Sequence, residues 1–242
     1  MLDLLKNTNT LLLAIASGAL PALFWLWFWL KEEDNDEREP IGLIILSFLL
    51  GGLLVFIAIW IEKYSLNFIN NKSNQIIIWA AIEEILKFLG IMVIISGNRN
   101  VDEPIDYPMY FIATALGFAA VENVLYLMNP FSVDGTVVGM MTGNLRFLGS
   151  TLLHAISSAM IGSALGLSFY TKKYRLIYLL FGIICAIILH SVFNFFIIKG
   201  SGENFLSVFG FLWVVTIINI LIFEKLKRIG KKVPVINKEI IL

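Results

Sequence analysis

Seven long apolar segments constrain the fold of this chain more than any other feature of its sequence. Each is about 20 residues long, the length of helix that crosses the roughly 30 Å hydrocarbon layer of a bilayer. They are residues 11–30, 41–61, 76–95, 108–128, 147–170, 176–198 and 205–223. Because lipid offers no hydrogen-bond partner to backbone amides, every span has to be helical. The sequence therefore predicts an all-α fold, a polytopic transmembrane helical bundle of about seven spans.

The connections between the apolar segments are short and leave no stretch for a soluble domain. Charged residues make up 15% of the chain, against about a quarter in soluble globular proteins. We therefore expect residues 1–242 to form a single transmembrane domain with the lipid bilayer as its surroundings. The net charge is zero, which gives no indication of a nucleic-acid partner. The first segment lacks a basic n-region, so we interpret it as a span rather than a cleaved signal peptide.

Basic residues are distributed unequally between the two ends of the predicted bundle. One end carries five, Lys6, Lys63, Lys72, Arg146 and Lys199. The other carries twelve, Lys31, Arg38, Arg99, Lys172, Lys173, Arg175, Lys225, Lys227, Arg228, Lys231, Lys232 and Lys238. Since cytoplasmic loops of membrane proteins are enriched in Lys and Arg, we expect the second end, with the C-terminus, to face the cytoplasm. The chain is thus predicted to be a multi-pass protein of the cell (plasma) membrane.

Charged residues and histidines lie within only four of the spans, the third to the sixth. They are Glu83, Glu84, Lys87, Glu122, His154 and His190. One charge at the centre of a membrane helix costs about 2.5–3.5 kcal/mol, so four unpaired charges would cost on the order of 10 kcal/mol. These side chains therefore have to face one another or a water-filled cavity, and such groups are functional by default.

The depth of these residues in the membrane supports a common site. Glu83, Glu122, His154 and His190 each lie seven to ten residues from the same end of the bundle, because successive spans run in opposite directions. At 1.5 Å per residue each group is roughly 10–15 Å deep. With the C-terminus in the cytoplasm, this level lies in the extracytoplasmic half of the membrane.

Helical spacing predicts which of these side chains share a face. Glu83 and Lys87 are four residues apart, so they share a face and can pair within their helix, although Glu84 is an alternative charge partner for Lys87. His190 and Asn194 are likewise four residues apart and share a face. Small and polar side chains recur every four residues in the fifth span, at His154, Ser158, Gly162 and Gly166. Small residues at this spacing allow helices to approach closely, and we interpret the two glycines as packing residues.

Carboxylates and imidazoles in one wet pocket are the groups that activate water and protonate a leaving amine. No serine or cysteine is a credible nucleophile, since Ser157 and Ser158 flank His154 on its own helix and Cys185 precedes His190 by five residues. Two histidines and a glutamate could also ligate zinc with an open position. The metalloprotease motif HExxH is absent, so the sequence leaves a glutamate-activated water and a metal-dependent mechanism as alternatives.

Four short motifs in order resemble the PrsW family of intramembrane proteases. They are EExxK at Glu83, Glu84 and Lys87, FxxxEN at Phe118, Glu122 and Asn123, the lone His154, and HxxxN at His190 and Asn194. PrsW proteins are related to the CAAX prenyl endopeptidases and the bacteriocin-processing membrane proteins. The resemblance covers about residues 76–198, the predicted catalytic core, and Gly117 and Arg146 look like flanking positions of the family pattern.

The resemblance implies catalytic roles for six residues, Glu83, Glu84, Glu122, His154, His190 and Asn194. One of the first two would activate water, and Asn194 would bind the oxyanion. The preferred interpretation requires no cofactor. A single zinc ion is the alternative, with Glu122, His154 and His190 as candidate ligands.

The resemblance also implies the class of substrate. PrsW-type proteins cut membrane-anchored proteins or peptides in the bacterial plasma membrane, the founding case being an anti-sigma factor cleaved on its outer side. A catalytically silent binding or immunity protein on the same scaffold is one rival hypothesis. A proton-coupled transporter is another, although the sequence contains no inverted repeat and no paired broken helices.

Overall fold

The computed structural model describes residues 8–32, 38–129, 147–199 and 205–232. They form seven α-helices and, within these ranges, no strand. The helices are α1 Thr8–Glu32, α2 Ile41–Ser65, α3 Lys72–Ile95, α4 Asp106–Asn129, α5 Leu152–Leu167, α6 Arg175–Lys199 and α7 Phe205–Lys232. A π-helical turn, Phe147–Thr151, leads directly into α5, and a 3-10 turn, Lys172–Tyr174, precedes α6.

Six of the seven helices are long and apolar enough to cross a membrane. The exception is α3, which is 24 residues long and carries Glu83, Glu84 and Lys87 in its middle. The all-α prediction is confirmed, and α3 departs from ordinary membrane helices at the residues that the sequence singled out.

The centre of the bundle is formed by α4 and α5. Within the most apolar stretch of each helix, 67% of the residues of α4 and 83% of those of α5 are buried. The corresponding share is 22–39% in α1, α2, α6 and α7. The outer helices expose large apolar side chains such as Leu53, Ile77 and Leu221 on their outward faces. In a bilayer these faces contact lipid. The neighbouring helices therefore shield α4 and α5 from lipid on most sides.

Glycines allow the central helices to approach their neighbours closely. A Cβ atom at Gly51 of α2 would overlap the carbonyl oxygen of Thr114, and one at Gly117 of α4 would overlap that of Phe48. Gly117, a flanking position of the family pattern, is thus a packing residue of the α2–α4 contact.

The glycines of α5 serve the same purpose. A Cβ atom at Gly162 would lie 2.6 Å from Cα of Pro108, and one at Gly166 would overlap the carbonyl oxygen of Pro104. The interpretation of these two glycines as packing residues is confirmed. They hold the second half of α5 against the start of α4, while the first half carries His154.

Three of the basic residues used to predict the orientation, Lys6, Arg146 and Lys238, lie outside the described residues. The others lie near helix ends or in the connections between helices.

Candidate active site

One buried polar cluster lies between the four helices α3 to α6. Its charged and imidazole side chains are Glu83, Glu84 and Lys87 from α3, Glu122 from α4, His154 from α5 and His190 from α6. The two imidazole rings meet edge to face, with their centroids 5.0 Å apart. The structure therefore brings together the residues that the sequence placed at one depth.

Glu84 is fully buried, and its carboxylate accepts four hydrogen bonds. Its Oε1 accepts from Nζ of Lys87 at 2.6 Å and from the hydroxyl of Ser157 at 2.9 Å. Nδ1 of His190 donates to the same oxygen at 2.8 Å, and the hydroxyl of Ser158 donates to Oε2 at 3.2 Å. A carboxylate with four donors has little capacity left to accept a proton from water, so Glu84 is suited to holding its partners in place.

Glu83, the preceding residue, lies in the opposite situation. Its Oε2 is buried but makes no hydrogen bond with any described residue. This oxygen lies 3.8 Å from Nδ1 of His154 and 3.8 Å from Nε2 of His190. Buried polar groups nearly always have a partner, and a carboxylate oxygen without one indicates a functional position.

The hydrogen bonds of the two histidines define which nitrogens carry protons. Lysine can only donate, so Nδ1 of His154 accepts from Nζ of Lys87 at 3.0 Å. Nε2 of His154 then donates to Oε2 of Glu122 at 2.9 Å. A carboxylate can only accept, so Nδ1 of His190 donates to Glu84. Nε2 of the same ring lies 3.8 Å from Oε2 of Glu83.

Glu83, His154 and His190 together have the geometry of a metal-ligand set. One donor atom from each of the three residues lies within 4.8 Å of the other two. Imidazole nitrogens and a carboxylate oxygen are the ligands of catalytic zinc sites, in which three protein ligands leave one position open. The carboxylate of Glu84 on the far nitrogen of His190 is the outer-shell partner that metal-ligating histidines typically have.

Glu122 lies at the edge of the cluster, and Asn194 follows His190 along α6. The side chain of Glu122 is 32% exposed, far more than the two glutamates of α3. Asn194 is half-buried, one turn beyond His190 on α6, and its side chain makes no hydrogen bond within the described residues. Asn123 faces a different partner, since its side-chain amide donates to the hydroxyl of Thr151 at 2.8 Å.

Lys87 was expected to be a charge partner of Glu83 or Glu84, and it forms its ion pair with Glu84, at 2.6 Å and three residues away. Its ammonium also lies 4.9 Å from the centre of the Phe118 ring. Glu122 was named as a candidate metal ligand together with His154 and His190. The three residues whose donor atoms lie within 4.8 Å of one another are Glu83, His154 and His190, whereas Glu122 contacts Nε2 of His154.

Ser157 and Ser158 are the residues that sequence reasoning missed. Ser157 was considered only as a nucleophile and Ser158 also as part of the four-residue repeat of small and polar side chains, whereas both donate to Glu84 from a neighbouring helix. A buried carboxylate requires several hydrogen-bond donors, and the two serines are donors on the helix of His154. These two facts could have identified them from the sequence.

Comparison with known proteins adds an independent finding. A family model described as "PrsW family intramembrane metalloprotease" matches residues 39–221. This range includes all of the motifs and extends beyond the predicted core 76–198 on both sides.

Several curated bacterial proteins named "Protease PrsW" are similar to the chain. The one from Geobacillus kaustophilus is 30% identical over 76% of this chain and 79% of its own length. The one from Oceanobacillus iheyensis is 30% identical over 84% of this chain and 92% of its own length. The Bacillus subtilis protein is 28% identical over 82% and 90%, respectively. No solved structure gives a significant match.

Proposed function

The chain belongs to the PrsW family and is an intramembrane protease embedded in a lipid bilayer as a multi-pass protein, and we propose that Glu83, His154 and His190 form its hydrolytic centre. The observation that carries this proposal is the buried Oε2 of Glu83, which has no hydrogen-bond partner among the described residues and lies 3.8 Å from an imidazole nitrogen on each of two other helices. Family membership favours this protease over the silent binding or immunity protein and the proton-coupled transporter.

We propose that these three residues hold a divalent metal ion such as zinc. The donor types, their number and their mutual distances fit such an ion. Lys87 has Glu84 as a second acceptor, so its ammonium stays paired when Nδ1 of His154 serves as a ligand. A bound zinc ion would supply Lewis acidity toward a peptide carbonyl and toward water. In the cofactor-free alternative, the unpaired Oε2 of Glu83 would itself accept the proton of water.

Glu84 is proposed to act through His190 without touching the substrate. By accepting from Nδ1 of His190, it fixes the tautomer that directs Nε2 toward Glu83. Ser157, Ser158 and Lys87 in turn hold Glu84 in place. Such partners orient a ligating histidine and raise its basicity.

Glu122 is proposed to pass the proton that the attacking water loses to the leaving amine. It is the most exposed carboxylate of the cluster, and its Oε2 is connected to the centre through His154. A general acid or base must reach the reacting atoms directly or through one water molecule. Within the cluster, Glu122 contacts His154 and is also accessible to water and substrate from outside. The half-buried amide of Asn194 is proposed to donate to the carbonyl oxygen as negative charge develops there.

The substrates of an intramembrane protease are membrane-embedded proteins, and we propose that this one cuts a membrane-anchored protein, for example an anti-sigma factor. An apolar cavity of about 390 Å³ lies between α6 and α7 and is lined by Val192, Phe193, Phe196, Ser207, Val208 and Phe211. Two of these residues stand between His190 and Asn194 in the chain, so the cavity adjoins the helix that carries both site residues. We propose that it receives an apolar segment of the substrate.

The distribution of basic residues supports an orientation with the C-terminus in the cytoplasm. In that orientation the site lies in the extracytoplasmic half of the membrane, and substrates are cut near their outer side.

The test combines metal analysis with cleavage of a purified single-span, membrane-anchored substrate. We expect one zinc per chain by mass spectrometry, loss of cleavage on chelation and recovery when zinc is added back. Glu83→Gln should lose both metal and activity. Activity that persists in metal-free protein would reject the metal and leave the Glu83-activated water. Activity that persists in Glu83→Gln would reject the proposed centre.

A further inference from the structure

A second cavity, of about 470 Å³, lies at the opposite end of the bundle from the proposed active site. It is enclosed by the end of α3, the connection to α4, the start of α4 and the segment that joins α5 to α6. Ile95 in its wall is 12 residues beyond Glu83 on α3, a distance of roughly 18 Å along the helix. The cavity is therefore separate from the proposed hydrolytic centre.

Three basic side chains line this cavity, Arg99, Lys172 and Arg175, and no acidic side chain among the described residues does so. None of the three forms an ion pair within the described part of the chain. The carboxylates of Asp102 and Glu103 are close in sequence but do not belong to the lining. Three unneutralised cations around one concave space create a strong attraction for an anion.

Arg175 is held in place before any ligand arrives. Its Nη2 donates to the hydroxyl of Tyr107 at 2.7 Å, and its guanidinium lies 5.3 Å from the centre of the same ring. The Tyr107 side chain is only 7% exposed. A guanidinium that is already hydrogen-bonded to a buried tyrosine loses little conformational freedom on binding, and its remaining donors fit the oxygens of a phosphate.

Part of the remaining cavity wall is apolar. It is formed by Met92, Ile95, Val101 and Phe169, and the polar side chains of Ser96 and Asn98 lie beside it in the lining. The candidate span that contains α6 starts at Lys172, and Leu176 and Ile177 near its start are 65% and 64% exposed. The cations therefore lie at the boundary between the apolar surface of the bundle and water, with an apolar wall below them.

We propose that this cavity binds the headgroup of an anionic phospholipid. The phosphate contacts Arg99, Lys172 and Arg175, and the upper part of an acyl chain lies on the apolar wall toward Leu176. Basic pockets between membrane helices on the cytoplasmic side bind acidic headgroups, and the cavity is on that side when the C-terminus is cytoplasmic. The inference does not depend on the hydrolytic function.

The test measures binding of phosphatidylglycerol to the purified full-length chain by native mass spectrometry, with phosphatidylcholine as the neutral comparison. Lys172→Gln and Lys173→Gln form a matched pair, because both lysines are exposed neighbours but only Lys172 lines the cavity. Removing one lysine that contacts an anionic headgroup should weaken binding about fivefold. We expect this loss in Lys172→Gln and in Arg99→Gln, and unchanged binding in Lys173→Gln.

If Lys172→Gln and Lys173→Gln weaken phosphatidylglycerol binding equally, or if neither weakens it, the cavity is rejected as the binding site. General attraction of the lipid to the basic surface would then explain the binding. A separate arm titrates inorganic phosphate alone. If free phosphate binds this site as tightly as phosphatidylglycerol does, the apolar wall contributes nothing and the lipid proposal fails. The thermal stability of each variant is measured in parallel, and the exposed position of Lys172 keeps the test decisive if Arg99→Gln does not fold.

Discussion

Oε1 of Glu84 lies 2.8 Å from Nδ1 of His190, a hydrogen bond that joins the middle of α3 to the middle of α6. Because this bond occupies Nδ1, the other ring nitrogen is left to face Oε2 of Glu83 at 3.8 Å. Two consecutive glutamates thus contact opposite sides of one imidazole. Their chemical roles follow from this arrangement, since one carboxylate is saturated with donors and the other has an oxygen with none among the described residues.

The first prediction separates the two glutamates by activity and stability. Glu83→Gln should abolish cleavage, and in the metal-free protein it should not lower the thermal stability, because it removes a buried charge whose Oε2 has no hydrogen-bond partner among the described residues. Glu84→Gln should reduce cleavage about 10–100-fold, as expected for a residue that orients a ligand. It should also lower the free energy of unfolding by about 3–5 kcal/mol, because buried Lys87 loses its charge partner.

Cleavage assays and thermal unfolding of both variants in the same detergent check this prediction. The reverse pattern, with Glu84→Gln inactive but stable and Glu83→Gln active but unstable, would exchange the two roles.

The second prediction concerns Ser157. Ser157→Ala removes a 2.9 Å hydrogen bond to the Glu84 carboxylate and should cost about 1.5–3 kcal/mol of stability, the range for bonds to charged groups. Cleavage should persist within about tenfold of the original rate, since the serine positions Glu84 and does not attack the substrate. Ser158→Ala should cost less because its bond is longer, at 3.2 Å. Complete inactivation of Ser157→Ala in a folded protein would contradict this positioning role and point to a serine nucleophile.

The third prediction tests the close approach of α2 and α4. Gly51→Ala should lower the free energy of unfolding by at least about 1–3 kcal/mol, because its Cβ would overlap the carbonyl oxygen of Thr114 and the helices would have to separate. Gly42→Ala is the control on the same helix, since no atom lies within 4 Å of its Cβ position. That variant should be neutral or gain up to about 1 kcal/mol from its higher helix propensity. Equal stability of the two variants by thermal unfolding would show that the close contact is unimportant.

The fourth prediction concerns pH. Glu39, in the segment before α2, accepts a hydrogen bond from the hydroxyl of Tyr110. Burial raises its pKa above the ordinary value of 4.5, against hydrogen bonds with Asp106 and Tyr110 that lower it, and the charges of Asp102 and Glu103 add to the rise. A carboxyl whose pKa is raised by folding binds more protons in the folded state, so its contribution to stability is lost as pH rises from 4.5 through the raised pKa.

We therefore expect Glu39→Gln to reduce the fall in apparent Tm between about pH 5 and about pH 8, because glutamine does not ionise. Thermal unfolding of both proteins at the two pH values measures the difference. An identical fall in the two proteins would mean that the Glu39 carboxyl does not change its protonation on unfolding in this range.

The number and type of the helices could be predicted from apolar length alone, but their limits could not. The last span was expected to end at 223, where charges begin, whereas α7 continues to Lys232. Leu226 in this extension is fully buried, and Nζ of Lys227 donates to the carbonyl oxygen of Glu32 at 2.6 Å. Hydropathy detects the part of a helix that is in lipid, and a helix packed against its neighbours need not stop at the membrane surface.

That α3 to α6 gather their charged and imidazole groups could be predicted from the chain alone, because lipid cannot solvate these groups and each lies at the same depth. Which carboxylate receives the donors, and which keeps an oxygen unpaired among the described residues, depends on the packing of the helices. Adjacent residues of a helix point about 100° apart, so the rotation of α3 about its axis directs Glu84 to Ser157 and Ser158 and leaves Glu83 facing the two histidines. That rotation depends on how whole helices pack, and no spacing within one helix can specify it.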